Sequence, residues 1–412
     1  MKYQHYLRIL FVFMISSVSH AQQISIGERY CFQSEILKEQ RAYQVYLPPS
    51  YDENNKAKFP VIYLLDGDYN FHYDSGLIEF LSNSAFTIPE AILIGISDNG
   101  GTKQLQNSDP KQNADTFIKF IQTELKPLIN KSYRTSDLDI LIGHSKFGIL
   151  TTHYWMTNPN DFDVFLAIDP SYWFNDYEIV KRLEDEFKNE FTTNSQLYIA
   201  QANTEGMGID ELVAVLEKES SEQTNWHLNA YPEDNHGSLH LTAITDVLND
   251  VFKGWYLDSE TFYSFKNGSD VIAYYKQLND KYNSEFLLPW YSLGNITNYY
   301  IRKNKQDDLV QMESGIKSHF PVSLEQFRIQ LANNYLSFKN LKEAEKLYKH
   351  CLIANSDSYK ALEGLSKIAS MKEDKKTAIA YLEQSIAIAK DKKVRQYYLN
   401  ELNANLKQLK QK

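Results

Sequence analysis

Leu138-Asp139-Ile140-Leu141-Ile142-Gly143-His144-Ser145-Lys146-Phe147-Gly148 is the stretch that decides the fold. Its apolar run ends at Ile142, and a helix-compatible stretch begins after Ser145, so a strand feeds a helix through a sharp turn. A serine at such a turn stands clear of the sheet. The N–H groups of the helix's first turn then face any anion formed beside it. Glycines are wanted two residues before and two after the serine, because backbone segments pass closely there. Gly143 supplies the first. Phe147 occupies the second site and Gly148 follows one later, so a phenyl ring must be housed at a crowded point. A competing reading of the same residues is an ordinary strand-to-helix turn with Ser145 as N-cap.

Further apolar runs lie on either side. Arg41 to Leu47 alternates like an edge strand and stops at Pro48-Pro49. Val61 to Leu65, Ala91 to Ile96, Val164 to Ile168 and Gln196 to Ala200 are short runs of buried-strand type, and Trp226 to Ala230 is strand-like. Runs apolar on both faces fit a parallel sheet covered by helices on each side. Helical periodicity marks Ala114 to Leu128, Ile209 to Lys218 and Leu241 to Phe252. The alternation predicts an α/β fold with a doubly wound sheet over residues 22–258.

Past about residue 260 the strand-like runs fade. A 34-residue self-similarity pairs Leu331 with Leu365, Ala344 with Ala378, Tyr348 with Leu382 and Leu352 with Ile386. Those positions fall where a tetratricopeptide repeat puts its packing residues. The chain therefore divides into a leader (1–21), the α/β domain (22–258), a helical linker region (259–320) and an all-α helical repeat domain (321–412). A degenerate repeat is expected within 274–315, and a capping helix over 391–412.

The chemistry needs partners for Ser145. His236 lies in the polar loop Tyr231-Pro232-Glu233-Asp234-Asn235-His236-Gly237-Ser238 after the last strand-like run, where a base following the nucleophile in chain order belongs. It takes the serine proton during attack and returns it to the leaving alcohol. A carboxylate is expected between them, just past the strand at Gln196 to Ala200. Glu205 is favoured there, with Asp210 as the alternative; Asp210 also suits a helix's first turn with no catalytic role. The N–H groups of Lys146 and Asp68 are the expected oxyanion donors. His236 and His240 stand four apart, but the surrounding Gly and Pro suggest a loop, and no Cys/His cluster has metal-ligand spacing.

Lys2 and Arg8, the apolar run Ile9 to Ile15 and the small-residue site Ser19-His20-Ala21 read as a secretory signal cut after Ala21. The apolar run is too short to span a bilayer, so an exported, periplasmic or secreted chain with no membrane span is expected. The net charge is −10, and removing Lys2 and Arg8 makes it about two units more negative. That argues against nucleic-acid binding, which neutralises phosphates with Lys and Arg. Cys31 and Cys351 fall in different predicted domains and are expected to be unpaired, buried thiols. The 29 tyrosines fit core packing or an aryl-lined groove.

Collinear segments carry a resemblance. Tyr46-Leu47-Pro48, Val61 to Gly67, Ile88-Pro89 with Ile92 to Ile96, Phe117 to Tyr133, Asp169-Pro170-Ser171-Tyr172-Trp173 and Asn235-His236-Gly237-Ser238 resemble segments of the putative-esterase family of α/β-hydrolases. The segment from Asp169 is similar to that family's Ser-Pro-Ser-x-Trp. The resemblance covers about residues 30–255. It implies serine esterase chemistry through Ser145, an acid near Glu205, and His236, on a small-molecule ester, with no metal or organic cofactor. Phe147 departs from the pattern, and so does Asn99-Gly100-Gly101-Thr102, which replaces an arginine-containing segment. Two other uses stay open: acyl transfer from the same acyl-enzyme, and a silent hydrolase fold that binds a protein partner through its helical repeats.

Overall fold

The computed structural model describes residues 25–98, 110–188, 191–221 and 224–411. The predicted leader and the Asn99 to Thr102 segment lie outside them. Eight strands form one sheet in the order β1-β2-β4-β3-β5-β6-β7-β8. They are β1 (Glu28–Ser34), β2 (Glu39–Tyr46), β3 (Phe59–Leu64), β4 (Ile92–Ile96), β5 (Thr135–His144), β6 (Val164–Ile168), β7 (Thr193–Ala202) and β8 (Thr224–Tyr231). β1 and β2 pair antiparallel, β2 joins β4 antiparallel, and all later pairs are parallel. The predicted strands are all present. β1 was not predicted: its side chains are mostly exposed, so it carries no apolar run.

Among the described residues, the longer helices associated with the sheet are α1 (Gly67–Asn83), α2 (Pro110–Phe120), α3 (Lys126–Ser132), α4 (Lys146–Thr157), α5 (Phe174–Lys188), α6 (Ile209–Glu219) and α7 (Leu239–Val251). Side chains alternate across the strands. Val61, Tyr63, Leu141 and Phe165 face a core completed by Phe117, Leu150, Leu183 and Leu212 from α2, α4, α5 and α6. Ile62, Leu64, Ile140, Ile142 and Leu166 face the opposite core, completed by Ile78 and Leu81 of α1 and Ala243, Ile244 and Val247 of α7. A period of two on strands buried on both faces is what a continuous apolar run encodes.

The rest of the described chain is helical: α8 (Ser259–Ser264), α9 (Gly268–Lys281), α10 (Trp290–Arg302), α11 (Gln306–His319), α12 (Leu324–Ser337), α13 (Leu341–Ala354), α14 (Tyr359–Met371), α15 (Lys375–Asp391) and α16 (Gln396–Gln411). Of the positions marked by the 34-residue period, Leu331, Ala344, Tyr348, Leu365, Ala378, Leu382 and Ile386 are buried and Leu352 is partly buried, and the Tyr348 ring lies where a side chain on Gly364 would stand.

This region docks on the amino ends of β3 and β4. Phe86 stacks on Tyr291 at 4.6 Å and meets Trp290 edge-on at 5.1 Å. Lys360 Nζ pairs with Glu53 Oε2 at 2.6 Å, and the Tyr359 hydroxyl donates to the same carboxylate. Arg395 grips Glu79 through both guanidinium nitrogens, and Asn54 Nδ2 donates to Val322 O at 2.8 Å. Tyr282 and Phe286 join the sheet's own second core. Both cysteines are unpaired, as expected, but Cys31 is exposed on β1 rather than buried; Cys351 is buried.

Candidate active site

The carboxyl ends of β5 and β6 carry two neighbouring side chains on unusual backbone. Ser145 has φ 58° and ψ −117°, and Asp169 has φ 38°. For residues with a Cβ this is strained, and such strain gathers at functional sites. At Ser145 it is held from both sides. Its N–H donates to Ile168 O at 2.9 Å, and its carbonyl accepts from Gly148 N at 3.0 Å and Ser171 N at 3.2 Å. The strand thus turns into α4 through the sharp bend expected.

Phe147 does not obstruct the bend. Its ring is only 7% exposed and joins the core under α4. The close approach that needs glycine falls one residue later: a Cβ on Gly148 would stand 2.7 Å from Pro170 Cβ. The glycine pattern is thus shifted to match Pro170.

His236 sits in the loop from β8 to α7. Asn203 N donates to Asp234 O at 2.8 Å, tying that loop to the end of β7, and Asn235 Oδ1 caps the turn by accepting from Gly237 N and Ser238 N. The imidazole is 38% exposed and donates from Nδ1 to Asp169 Oδ2 at 2.6 Å. Asp169 is fully buried, and its Oδ1 accepts from Ala202 N at 3.1 Å.

The carboxylate against His236 is therefore neither Glu205 nor Asp210. Glu205 is exposed in the turn before α6. Asp210 is exposed in that helix's first turn and accepts from Gln201 Nε2 at 3.1 Å. The loop after β7 holds the histidine loop through Asn203, while the carboxylate that meets His236 comes from the end of β6. One signal pointed there: in the segment similar to Ser-Pro-Ser-x-Trp, this chain has Asp169 at the first position, directly after a strand. Asp169 also lies between Ser145 and His236 in the chain, where the sequence reading expects a carboxylate.

Ser145 Oγ shares its hydrogen bond with Ser171 Oγ at 3.2 Å. Among the described residues its hydroxyl is thus engaged with Ser171 rather than with His236. Lys146 and Asp68 lie in the first turns of α4 and α1, where N–H groups have no intrahelical acceptor. The Asp68 carboxylate accepts from Arg29 Nη1 at 2.6 Å, Gln44 Nε2 at 3.2 Å, Asp98 N at 3.0 Å and the Ser97 hydroxyl. Burial works to raise its pKa, but the bonds from Ser97 and Arg29 outweigh it and hold the group below the usual carboxylate range. His240 is on helix α7, not in a loop, and its Nε2 meets both oxygens of Asp74, at 3.1 and 3.0 Å. Among the described residues, no group of three or more His, Cys, Asp or Glu side chains is arranged to hold a metal ion. No described helix is long and apolar enough to cross a membrane.

Residues 34–237 match the Putative esterase family. That match lies within the α/β domain and covers just under half of the chain. Among curated relatives, the ferri-bacillibactin esterase BesA of Bacillus subtilis is 24% identical over 184 residues, 38% of this chain and 63% of that protein. The siderophore triacetylfusarinine C esterase of Aspergillus fumigatus is 36% identical over 64 residues, 15% of this chain and 22% of that protein. The chain thus spans less than two thirds of the length of these curated relatives. In structure it is similar to an IroE-like serine hydrolase from Shewanella oneidensis, at 26% identity and TM-score 0.59, covering 71% of this chain and 99% of that one. An uncharacterised protein from Capnocytophaga ochracea, 13% identical with TM-score 0.54, covers 94% of this chain and all of that one, so its fold extends over the helical region too.

Proposed function

We propose that the esterase domain is a serine carboxylic-ester hydrolase in which Ser145 attacks, His236 is the base, Asp169 is the acid and the N–H groups of Lys146 and Asp68 receive the oxyanion. The observation that carries this reading is the 2.6 Å contact of His236 with a buried carboxylate beside a strained serine turn. As Ser145 Oγ bonds to the ester carbon, His236 Nε2 takes its proton, and Asp169 fixes the tautomer and balances the imidazolium. Collapse expels the alcohol, which leaves with that proton. Water repeats the sequence on the acyl-enzyme and frees the acid. In this reading Ser145 Oγ gives up its bond to Ser171 for one to His236. The names of the curated relatives make small siderophore esters the first substrates to try.

The reading also takes residues 1–21 as an export signal, 22–258 as the esterase domain, 259–320 as a helical linker region that couples the two and 321–412 as tetratricopeptide-like repeats. Burial of Tyr282 and Phe286 in the sheet's core supports the coupling role. A second reading is a silent hydrolase domain whose helical repeats bind a partner. The resting Ser145–Ser171 bond favours it. A fluorophosphonate probe with peptide mapping, alongside turnover of a short-chain aryl ester, separates the two. Label on Ser145 that is lost in Ser145→Ala supports the esterase. Folded protein with neither label nor turnover removes it.

A further inference from the structure

Beside the Ser145–Asp169–His236 set lies a second histidine arrangement that the mechanism above does not use. His144, the residue before the nucleophile, reaches the main chain of the base: its Nε2 donates to the His236 carbonyl at 2.9 Å. The two rings lie 4.5 Å apart, tilted by 34°. On its other side His144 meets the His240 ring edge-on at 5.8 Å. His240 in turn is fixed on buried Asp74 of α1. Three imidazoles therefore run in a row from a buried carboxylate to the catalytic base.

We infer that His144 is a positioning residue: as a neutral ring with its proton on Nε2, it clamps the His236 carbonyl and so holds the base's loop in register with the nucleophile one residue away. The inference rests on the esterase reading above. The same peptide that strains Ser145 carries the clamp, so nucleophile and base are located by adjacent residues of one turn. The donor role requires Nε2–H. Neutrality also matters, because His236 becomes a cation as it takes the serine proton, and a charged ring 4.5 Å away would oppose that. The surroundings keep His144 neutral. Burial, then the positive potential of His236 and of His240, push its pKa down to about 4, against smaller upward pulls from the bond to the His236 carbonyl and from Asp169. The charged and titratable groups facing it are thus His236 and Asp169 from the loops after β8 and β6, and His240 from α7. Asp74 and Asp66 stand behind His240.

The test uses the full mature chain with His144→Leu, which removes the donor, and His144→Gln, whose amide restores one. The Leu variant is expected to lower kcat on a short-chain aryl ester by about 10- to 100-fold with KM within about twofold, since misplacement of a catalytic group by about an ångström costs on that order. The Gln variant is expected to recover to within about fivefold of wild type. Fluorophosphonate labelling of Ser145 should follow the same order. Side-chain nitrogen NMR of histidine-labelled protein gives a readout independent of turnover. His144 should stay in the neutral Nε2–H form from pH 8 to near pH 4, and the His236 signals should move in the Leu variant. If His144→Leu keeps kcat within threefold, or His144→Gln is as slow as Leu with both folded, the inference is overturned. A His144 that titrates near 6.5 overturns it as well. If wild-type protein neither labels nor turns over ester, the esterase reading fails first. Unmoved His236 signals in the Leu variant would then overturn the clamp by themselves.

Discussion

The two ends of the same sheet are built on opposite principles. At the carboxyl end, backbone is held in costly conformations at Ser145 and Asp169, helix N–H groups stand without intrahelical acceptors, and Ser145 is half-buried. At the amino end, Phe86 lies against Trp290 and Tyr291, and Glu53 and Glu79 are satisfied by Lys360, Tyr359 and Arg395. One end spends stability to keep groups available; the other recovers it by removing them from solvent. Substitutions at the first should therefore change rate more than melting, and substitutions at the second should do the reverse.

Asp169→Asn is the hardest test of that contrast. It keeps the shape but withdraws the charge facing His236, so kcat should fall by about 10² to 10⁴-fold, whereas Glu205→Gln should stay within about twofold. Steady-state kinetics of both proteins on one ester would decide, and equal losses would return the acid to the loop after β7. Phe147→Gly probes where the active end merges into core. Its ring is buried, so unfolding in denaturant should reveal a loss of about 3–5 kcal/mol, in the range for truncating a buried phenylalanine. A gain of activity without that loss would mean the ring obstructs the elbow after all.

A pH titration of stability sharpens the comparison further. His144 has a folded pKa near 4, against an ordinary value of 6.5. The unfolded chain therefore binds this proton first. The group's contribution is intact above about pH 6.5 and is lost as pH falls toward 4. The loss is at most about 3 kcal/mol, reduced by screening where the ring is partly exposed. His144→Gln should flatten that part of the curve. At the amino end, Glu53→Ala leaves the Tyr359 hydroxyl and Lys360 without their acceptor. It should cost about 1–3 kcal/mol while kcat/KM stays within about twofold.

Which parts were readable from the sequence follows from the range of the forces involved. β3 to β7 are apolar on both faces, so burial is written locally, and their bounds came within a few residues. β1 escaped because an exposed edge strand owes its place to pairing with β2, which lies elsewhere in the chain. The turn at Ser145 and the loop holding His236 were legible because a sharp turn and a polar loop have local signatures. The carboxylate that meets His236 was not. Glu205 and Asp169 both follow strands. What separates them is which strand end lies beside β5 and which loop Asn203 fastens, and both are settled by sheet order rather than by neighbouring residues. Phe147 looked obstructive for a similar reason: the position that must be bare is fixed by Pro170, 22 residues away.

Helix α1 joins the two ends. Its second residue is Asp68, whose N–H is aimed at the reacting carbonyl in the proposed mechanism. Asp74 near its middle anchors His240, and Glu79 near its far end is held by Arg395. At about 1.5 Å per residue, its 17 residues make a rod of roughly 25 Å. A rod clamped at its tail cannot slide without carrying its tip. In that mechanism the fit of the last helices against the sheet would set how far the amide at the other end of the rod stands from the substrate, and a tightening or slackening of that distant grip would be transmitted as a change in reach.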